Sequence, residues 1–209
     1  MPIERYRKDN ENICFHKILL CACKKYLKDQ KNGILLLNLN ENETGNNNIK
    51  YSYIFFDTKN FGVYCFCPLL YFPKKNILTK DEIKDTDYFL VGGFDIDRGK
   101  GMIKLYKVNY SKDYCKTTIE FIQDIIINSN NVNLKKNNLN KKNENKNNEF
   151  KGFTEAISCI IQSSKDGEIL VSCWDGKIYL FELNLENLLE NNNKDAIFKK
   201  LAINNKFIA

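Results

Sequence analysis

Apolar and polar residues alternate along this chain in short bursts, and one strand-pair pattern occurs three times. Its first copy reads His16-Lys17-Ile18-Leu19-Leu20-Cys21-Ala22-Cys23, followed by Asn32-Gly33-Ile34-Leu35-Leu36-Leu37-Asn38-Leu39. The second reads Asp87-Tyr88-Phe89-Leu90-Val91-Gly92-Gly93-Phe94-Asp95, then Gly101-Met102-Ile103-Lys104-Leu105-Tyr106-Lys107-Val108. The third is Gly167-Glu168-Ile169-Leu170-Val171-Ser172-Cys173-Trp174, then Asp175-Gly176-Lys177-Ile178-Tyr179-Leu180-Phe181-Glu182-Leu183. Each copy is an apolar strand ending in small residues, a polar turn, and a second strand rich in Ile, Leu and aromatics. β-Branched and aromatic enrichment with partial period-2 alternation marks both halves as strands.

Further strand candidates fall in register with the pattern. They are Lys50–Asp57, Phe61–Pro68, Cys115–Asp124, Glu155–Gln162 and Ala196–Ile203. The last is ambiguous with a short helix, because Leu185-Glu186-Asn187-Leu188-Leu189 before it has helical spacing. A repeat of this kind decides architecture before local propensity does, and this one points to blades of an all-β propeller. With strands labelled a to d from the inside outward, the order reads b-c-d, a-b-c-d, a-b-c and a final d. Copies start about 70–80 residues apart, against ~40–45 for a common propeller blade. The excess sits in two polar insertions, Pro73–Thr86 and Asn128–Glu149. The second is almost entirely asparagine and lysine, cannot bury enough apolar surface to offset its ordering entropy, and reads as disordered.

The third copy carries a family resemblance. Phe153-Thr154-Glu155-Ala156-Ile157-Ser158-Cys159-Ile160, the Asp166-Gly167 turn, the strand to Trp174, and Asp175-Gly176-Lys177-Ile178 followed by an aromatic together resemble a WD40 repeat. Asp-Gly suits such hairpins because tight turns need positive φ values that glycine accepts. The family's Gly-His pair is replaced by Lys151-Gly152-Phe153, and its closing Trp-Asp by Phe181-Glu182. The resemblance is good over residues 150–184, looser over 61–125 and faint before residue 60. It implies an all-β, WD40-like β-propeller segment of about three four-stranded antiparallel blades with an Asn/Lys-rich disordered insertion. Residues 1–127 form its first part, 128–149 the insertion, and 150–209 the WD40-like blade with a C-terminal strand or short helix.

Composition narrows the setting. Of 209 residues, 43% are hydrophobic and 12% aromatic, enough for a sizeable core. The net charge of +6 is mostly lysine spread through loops rather than an arginine-rich stripe, so a nucleic-acid footprint is weakly supported. No apolar run approaches a membrane span, and the start, Met1-Pro2-Ile3-Glu4-Arg5-Tyr6-Arg7-Lys8, lacks the apolar core of a secretory signal. The eight cysteines therefore read as reduced thiols of a cytoplasmic or nuclear protein.

Candidate chemistry is sparse. Cys21-Ala22-Cys23 and Cys65-Phe66-Cys67 could in principle gather four thiolates on a zinc ion, but neither has the Cys-x2-4-Cys spacing of structural sites. Gly92–Gly101 superficially suggests a phosphate loop. The spacing of Gly93 and Gly99 is one residue too long, Gly101 replaces the required hydroxyl, and a strand follows where a helix should. Asp95-x-Asp97 is weak as a cation site. His16 is the only histidine, which excludes any site needing two. No catalytic, cofactor-binding or metal-binding residue is assigned, and no cofactor is expected.

The expected role is a non-catalytic scaffold that binds other proteins in a larger complex, not a membrane. Its partner-binding residues are sought in the b–c turns, at Asp95, Asp97, Arg98, Lys100, Trp174 and Asp175, because rigid strands present binding groups on their loops. A nucleic-acid-associated propeller, or a propeller domain of an enzyme whose active site lies outside this chain, are the alternatives. Three blades cannot close a ring of four to eight, so the blades are expected to be completed by further sequence or by a partner chain. A cooperative, monomeric thermal transition for residues 1–209 alone would count against that expectation.

Overall fold

The computed structural model describes residues 1–9, 12–26, 31–38, 52–69, 86–110, 117–128, 152–163, 167–183 and 195–202. Every regular element in these residues is a β-strand. The first sheet contains β1 (Pro2–Asp9), β2 (Asn12–Tyr26), β3 (Lys31–Asn38) and β4 (Ser52–Lys59). The second contains β5 (Phe61–Pro68), β6 (Thr86–Asp95), β7 (Lys100–Tyr110) and β8 (Thr117–Asp124). A three-residue strand, β9 (Ile126–Asn128), follows. The third sheet has β10 (Ile157–Gln162), β11 (Glu168–Cys173), β12 (Ile178–Leu183) and β13 (Asp195–Ala202), with β9 along its outer edge. In each sheet, successive strands are antiparallel neighbours; only β9 pairs parallel, with β13. No helix among the described residues is long and apolar enough to cross a membrane.

The second sheet is covered on both faces. On one side Phe89, Val91, Tyr106 and Val108 pack with Ile18, Leu20, Ile34 and Leu36 of the first sheet. On the other, Leu90, Ile103 and Leu105 pack with Ile157, Ile169, Val171 and Phe181 of the third. Period-2 alternation sends neighbours such as Leu90 and Val91 into opposite cores, which is why β6 reads as a continuous apolar run. The third sheet is buried on one face only, so β11 and β12 alternate: Ile169, Val171, Tyr179 and Phe181 are buried, while Leu170 lies exposed on the outward face. Aromatic rings fill much of both interiors. Phe153 meets Tyr179 and Phe181 edge-on at 5.2 and 5.8 Å, and Phe89 stacks on Tyr106 at 5.8 Å.

All the strands named from the repeat are present where they fall on described residues, and the ambiguous segment near residue 196 is the strand β13. The residues 185–189 with helical spacing and nearly all of both polar insertions lie outside the described residues. Two strands were not legible in the pattern. β1 pairs with the first half of β2, from Pro2↔Leu19 to Asp9↔Asn12, and the α-amino group of Met1 donates to the Leu20 carbonyl at 2.7 Å. Its charged sequence lacks the apolar alternation that marks a core strand. β9 is the continuation of β8: after Ile125, whose N–H donates to Ile103, the chain leaves the second sheet and joins the third.

One junction departs from the order deduced from the repeat. Asn60 alone joins β4 to β5. A step from the outermost strand of one blade to the innermost of the next must cross three strand spacings of ~4.8 Å. Two Cα steps of ~3.8 Å cannot do so. β5 therefore starts beside the end of β4 and packs across β2, β3 and β4.

The second and third sheets approach closely at Gly92. A Cβ there would lie 2.6 Å from Cys65 Sγ and 2.6 Å from Ile157 Cγ2. Both flanking strands are bulged at this point, β5 between Val63 and Cys65 and β10 between Ile157 and Cys159. Gly92→Ala is expected to cost about 1–3 kcal/mol through overpacking. In urea denaturation, Gly92→Ala combined with Cys65→Ala, which removes the sulfur that the new methyl group would meet, should lose less than the sum of the two single losses, since residues in contact couple.

Candidate functional site

The ends of the three repeated hairpins are tied into one rim. At the first, Lys31 pairs with Asp57 at 3.7 Å and the Asn32 side chain donates to the Lys59 carbonyl at 3.3 Å. The corner residue Asn60 then donates to both carboxylate oxygens of Asp97, at 2.9 and 3.0 Å, in the second turn. Beyond that turn, Gly101 forms a β-bridge with Phe153, which leads into the third sheet. The third turn closes the series: Trp174 N–H donates to Ala156 at 2.9 Å.

The β6–β7 turn is organised by charges. Asp95 is buried and accepts the Arg98 backbone N–H at 3.0 Å. The Arg98 guanidinium reaches Asp124 at the end of β8 at 2.9 Å. Lys104 sits beneath them, 3.1 Å from the other Asp124 oxygen and 4.0 Å from Asp95. Its ammonium also lies over the Phe61 and Phe121 rings, 4.7 and 5.4 Å from their centroids, an arrangement that gains strength where water is excluded. Lys104 is the polar member of the otherwise apolar run Met102-Ile103-Lys104-Leu105, and this is the sequence signal for its position.

The β11–β12 turn uses Asp175 in the same structural way. Its carboxylate accepts the Lys177 N–H at 3.0 Å and the Tyr179 hydroxyl at 2.7 Å. Gly176, at φ +79°, makes the reversal that residues with a Cβ resist. Burial opposes ionisation of Asp175, but the hydrogen bonds from Tyr179 and Lys177, with the Lys177 charge, outweigh it and hold its pKa below the ordinary carboxylate value. The same contact, added to burial, raises Tyr179 well above an ordinary tyrosine.

Of the six residues sought in the turns, the structure thus divides two roles. Asp95 and Asp175 spend their carboxylates inside their own turns. Asp97, Arg98, Lys100 and Trp174 are exposed on the rim. Trp174 is 60% exposed and held edge-on against Tyr64 of β5, with ring centroids 4.9 Å apart. Tyr64 carried no signal in the sequence, because only the sheet-to-sheet contact brings it there. Elsewhere, a cleft of about 670 Å³ opens where β7 and β8 of the second sheet meet β9 and Phe153. Residues 27–30 of the first turn and Asp166 lie outside the described residues.

The two Cys-x-Cys pairs do not converge. Cys67, with Cys65 packed against it, faces the core shared with the third sheet. Cys21 and Cys23 alternate with Leu20, which faces the second sheet, so they point to the outward face of the first sheet. The two Cys-x-Cys pairs therefore look away from each other, and the four-thiolate alternative has no geometry to support it. Among the described residues, no three His, Cys, Asp or Glu side chains are grouped so as to hold a metal ion. Burial, aided by the Cys159 thiol, pushes Cys65 up to about 12; burial likewise pushes Cys67 up to about 11. Thiols so raised stay protonated at neutral pH and are poor nucleophiles.

No protein-family model matches this chain, and neither a curated protein nor a solved structure does.

The Asp175–Tyr179 contact fixes a pH window. A lowered carboxylate contributes stability present above its ordinary value of 3.8 and lost as pH falls through its folded pKa. A raised tyrosine contributes stability present below 10.0 and lost as pH climbs above it. Urea midpoints of Tyr179→Phe should be lower than wild type between these limits. The gap should narrow below about pH 4 and above about pH 10.

Proposed function

We propose that this chain is a WD40-like β-propeller segment that scaffolds protein–protein contacts in a larger assembly and performs no chemistry of its own. Trp174 carries the reading: a tryptophan more than half exposed, yet fixed in orientation by Tyr64, on a rim of bonded turns. Large aromatic side chains that lose little entropy on docking are the usual anchors of protein interfaces. Ile96, 57% exposed in the neighbouring turn, and the charged Asp97, Arg98 and Lys100 supply the mixed apolar and polar surface of such an interface.

The blade reading is best supported in the second and third sheets, each built on a four-stranded antiparallel meander with its central hairpin turn on the shared rim, the third with β9 added at its edge. The one-residue corner at Asn60 sets the first sheet apart, in line with its faint likeness to the repeat. Both ends of the stack are apolar on their outward faces. Leu35 and Leu37 alternate outward from the first sheet, and Ile161 and Leu170, cross-strand partners, are 56% and 40% exposed on the third. Further blades packing there would extend the stack as the sheets already extend each other. A nucleic-acid partner gains less support, because Lys31, Arg98 and Lys104 are already engaged by carboxylates.

Trp174→Ala tests the docking role without disturbing a core. Affinity capture from source-cell extract, quantified against wild type, should show specific protein partners reduced about tenfold or more, with an unchanged melting temperature. Retention of the full wild-type partner set would remove the rim from consideration.

A further inference from the structure

The cleft between the second and third sheets joins an apolar floor to charged residues of the β6–β7 turn. The geometry points to a binding site for a small apolar carboxylate, a hydrocarbon body ending in a single anionic group. The volume of about 670 Å³ lies within the range of small-molecule sites. Its floor is apolar: Ile103, Ile125 and Phe153 are buried beneath it. Its lips are apolar too, and wet. Phe121 and Ile126 line the opening and are 42% and 48% exposed. Large apolar side chains clustered at an open concavity favour an apolar occupant over water.

Charge selects the end group. Asp124, the carboxylate on the wall, has one oxygen 2.9 Å from Arg98 and the other 3.1 Å from Lys104, so it is already neutralised. Lys100, also lining the cleft, is exposed and has no carboxylate partner among the described residues. The Arg98 side chain, anchored through Nη1 to Asp124 at 2.9 Å and through Nε to Asp95 at 3.9 Å, remains 51% exposed. A guanidinium held in this way is oriented before a second carboxylate arrives. The opening therefore presents positive charge above an apolar floor. A neutral hydrocarbon would leave that charge unused, and a metal cation would find the carboxylates occupied.

Decanoate, kept below its micelle concentration, is the probe, with decanol as its uncharged counterpart. Backbone amide shifts in two-dimensional NMR report where each binds, and thermal melts confirm that each variant is folded. Saturable decanoate binding is expected, with shifts centred on Ile103 and Ile125–Ile127 and decanol at least about tenfold weaker. Lys100→Glu should weaken decanoate about tenfold while leaving decanol unchanged. Ile126→Glu, a substitution at an exposed position, should weaken both. Absence of saturable binding, equal affinity for acid and alcohol, or indifference to both substitutions would overturn the assignment.

Discussion

The structure depends on the second sheet being buried on both faces. Four strands must supply apolar groups in two directions at once, and the central stretches of β6 and β7 do so with few polar interruptions. Lys104, more deeply set than Lys107, is accommodated because two carboxylates and two aromatic rings surround its ammonium. A charge in that position without partners would carry a large desolvation cost. The same network fixes the end of β8 and the β6–β7 turn, so the demand of the core sets the shape of the rim. Gly92 meets a second consequence of double coverage: with Cys65 and Ile157 both pressed against it, no side chain fits.

Much of this was readable in the chain. The strands of the three hairpins and those beside them follow from alternation, and the turn of the third from its Asp-Gly signal, because those features act over a few residues. The pairing of β1 did not, since Glu4, Arg5, Arg7 and Lys8 hide a strand specified by its hairpin partner rather than by a core. β9 was hidden for a different reason: Ile125-Ile126-Ile127 looks like the tail of β8, and only the fold shows it changing sheets. At the candidate site, the turns were legible and the roles within them were not. Asp95, Asp97 and Asp175 are the same residue type in similar turns. Whether each faces its own backbone or the rim depends on Arg98, Asn60 and Tyr179, which local sequence does not place. Tyr64 shows the limit most plainly, being 110 residues from the tryptophan it orients (174 − 64).

The thiols illustrate how a pattern misleads when faces are ignored. Two Cys-x-Cys pairs on strands suggest convergence, and each pair does share a face. The faces belong to different sheets and look in different directions. What remains is a set of small apolar side chains, several with raised pKa values, filling space near close backbone contacts.

The passage of the chain through Ile125 from one sheet to the next has a kinetic meaning. The hairpins close over short stretches of chain, whereas Ile126 must find Asp195 across some seventy residues (195 − 126 = 69). Loop-closure entropy and topology place such distant pairings late in folding. β9 then acts as a latch: the meanders assemble first, and the last parallel rungs fasten the outer edge of the third sheet to the strand that finishes the second. Once fastened, neither edge can fray without pulling on its neighbour, so two locally assembled units come to lose their structure together.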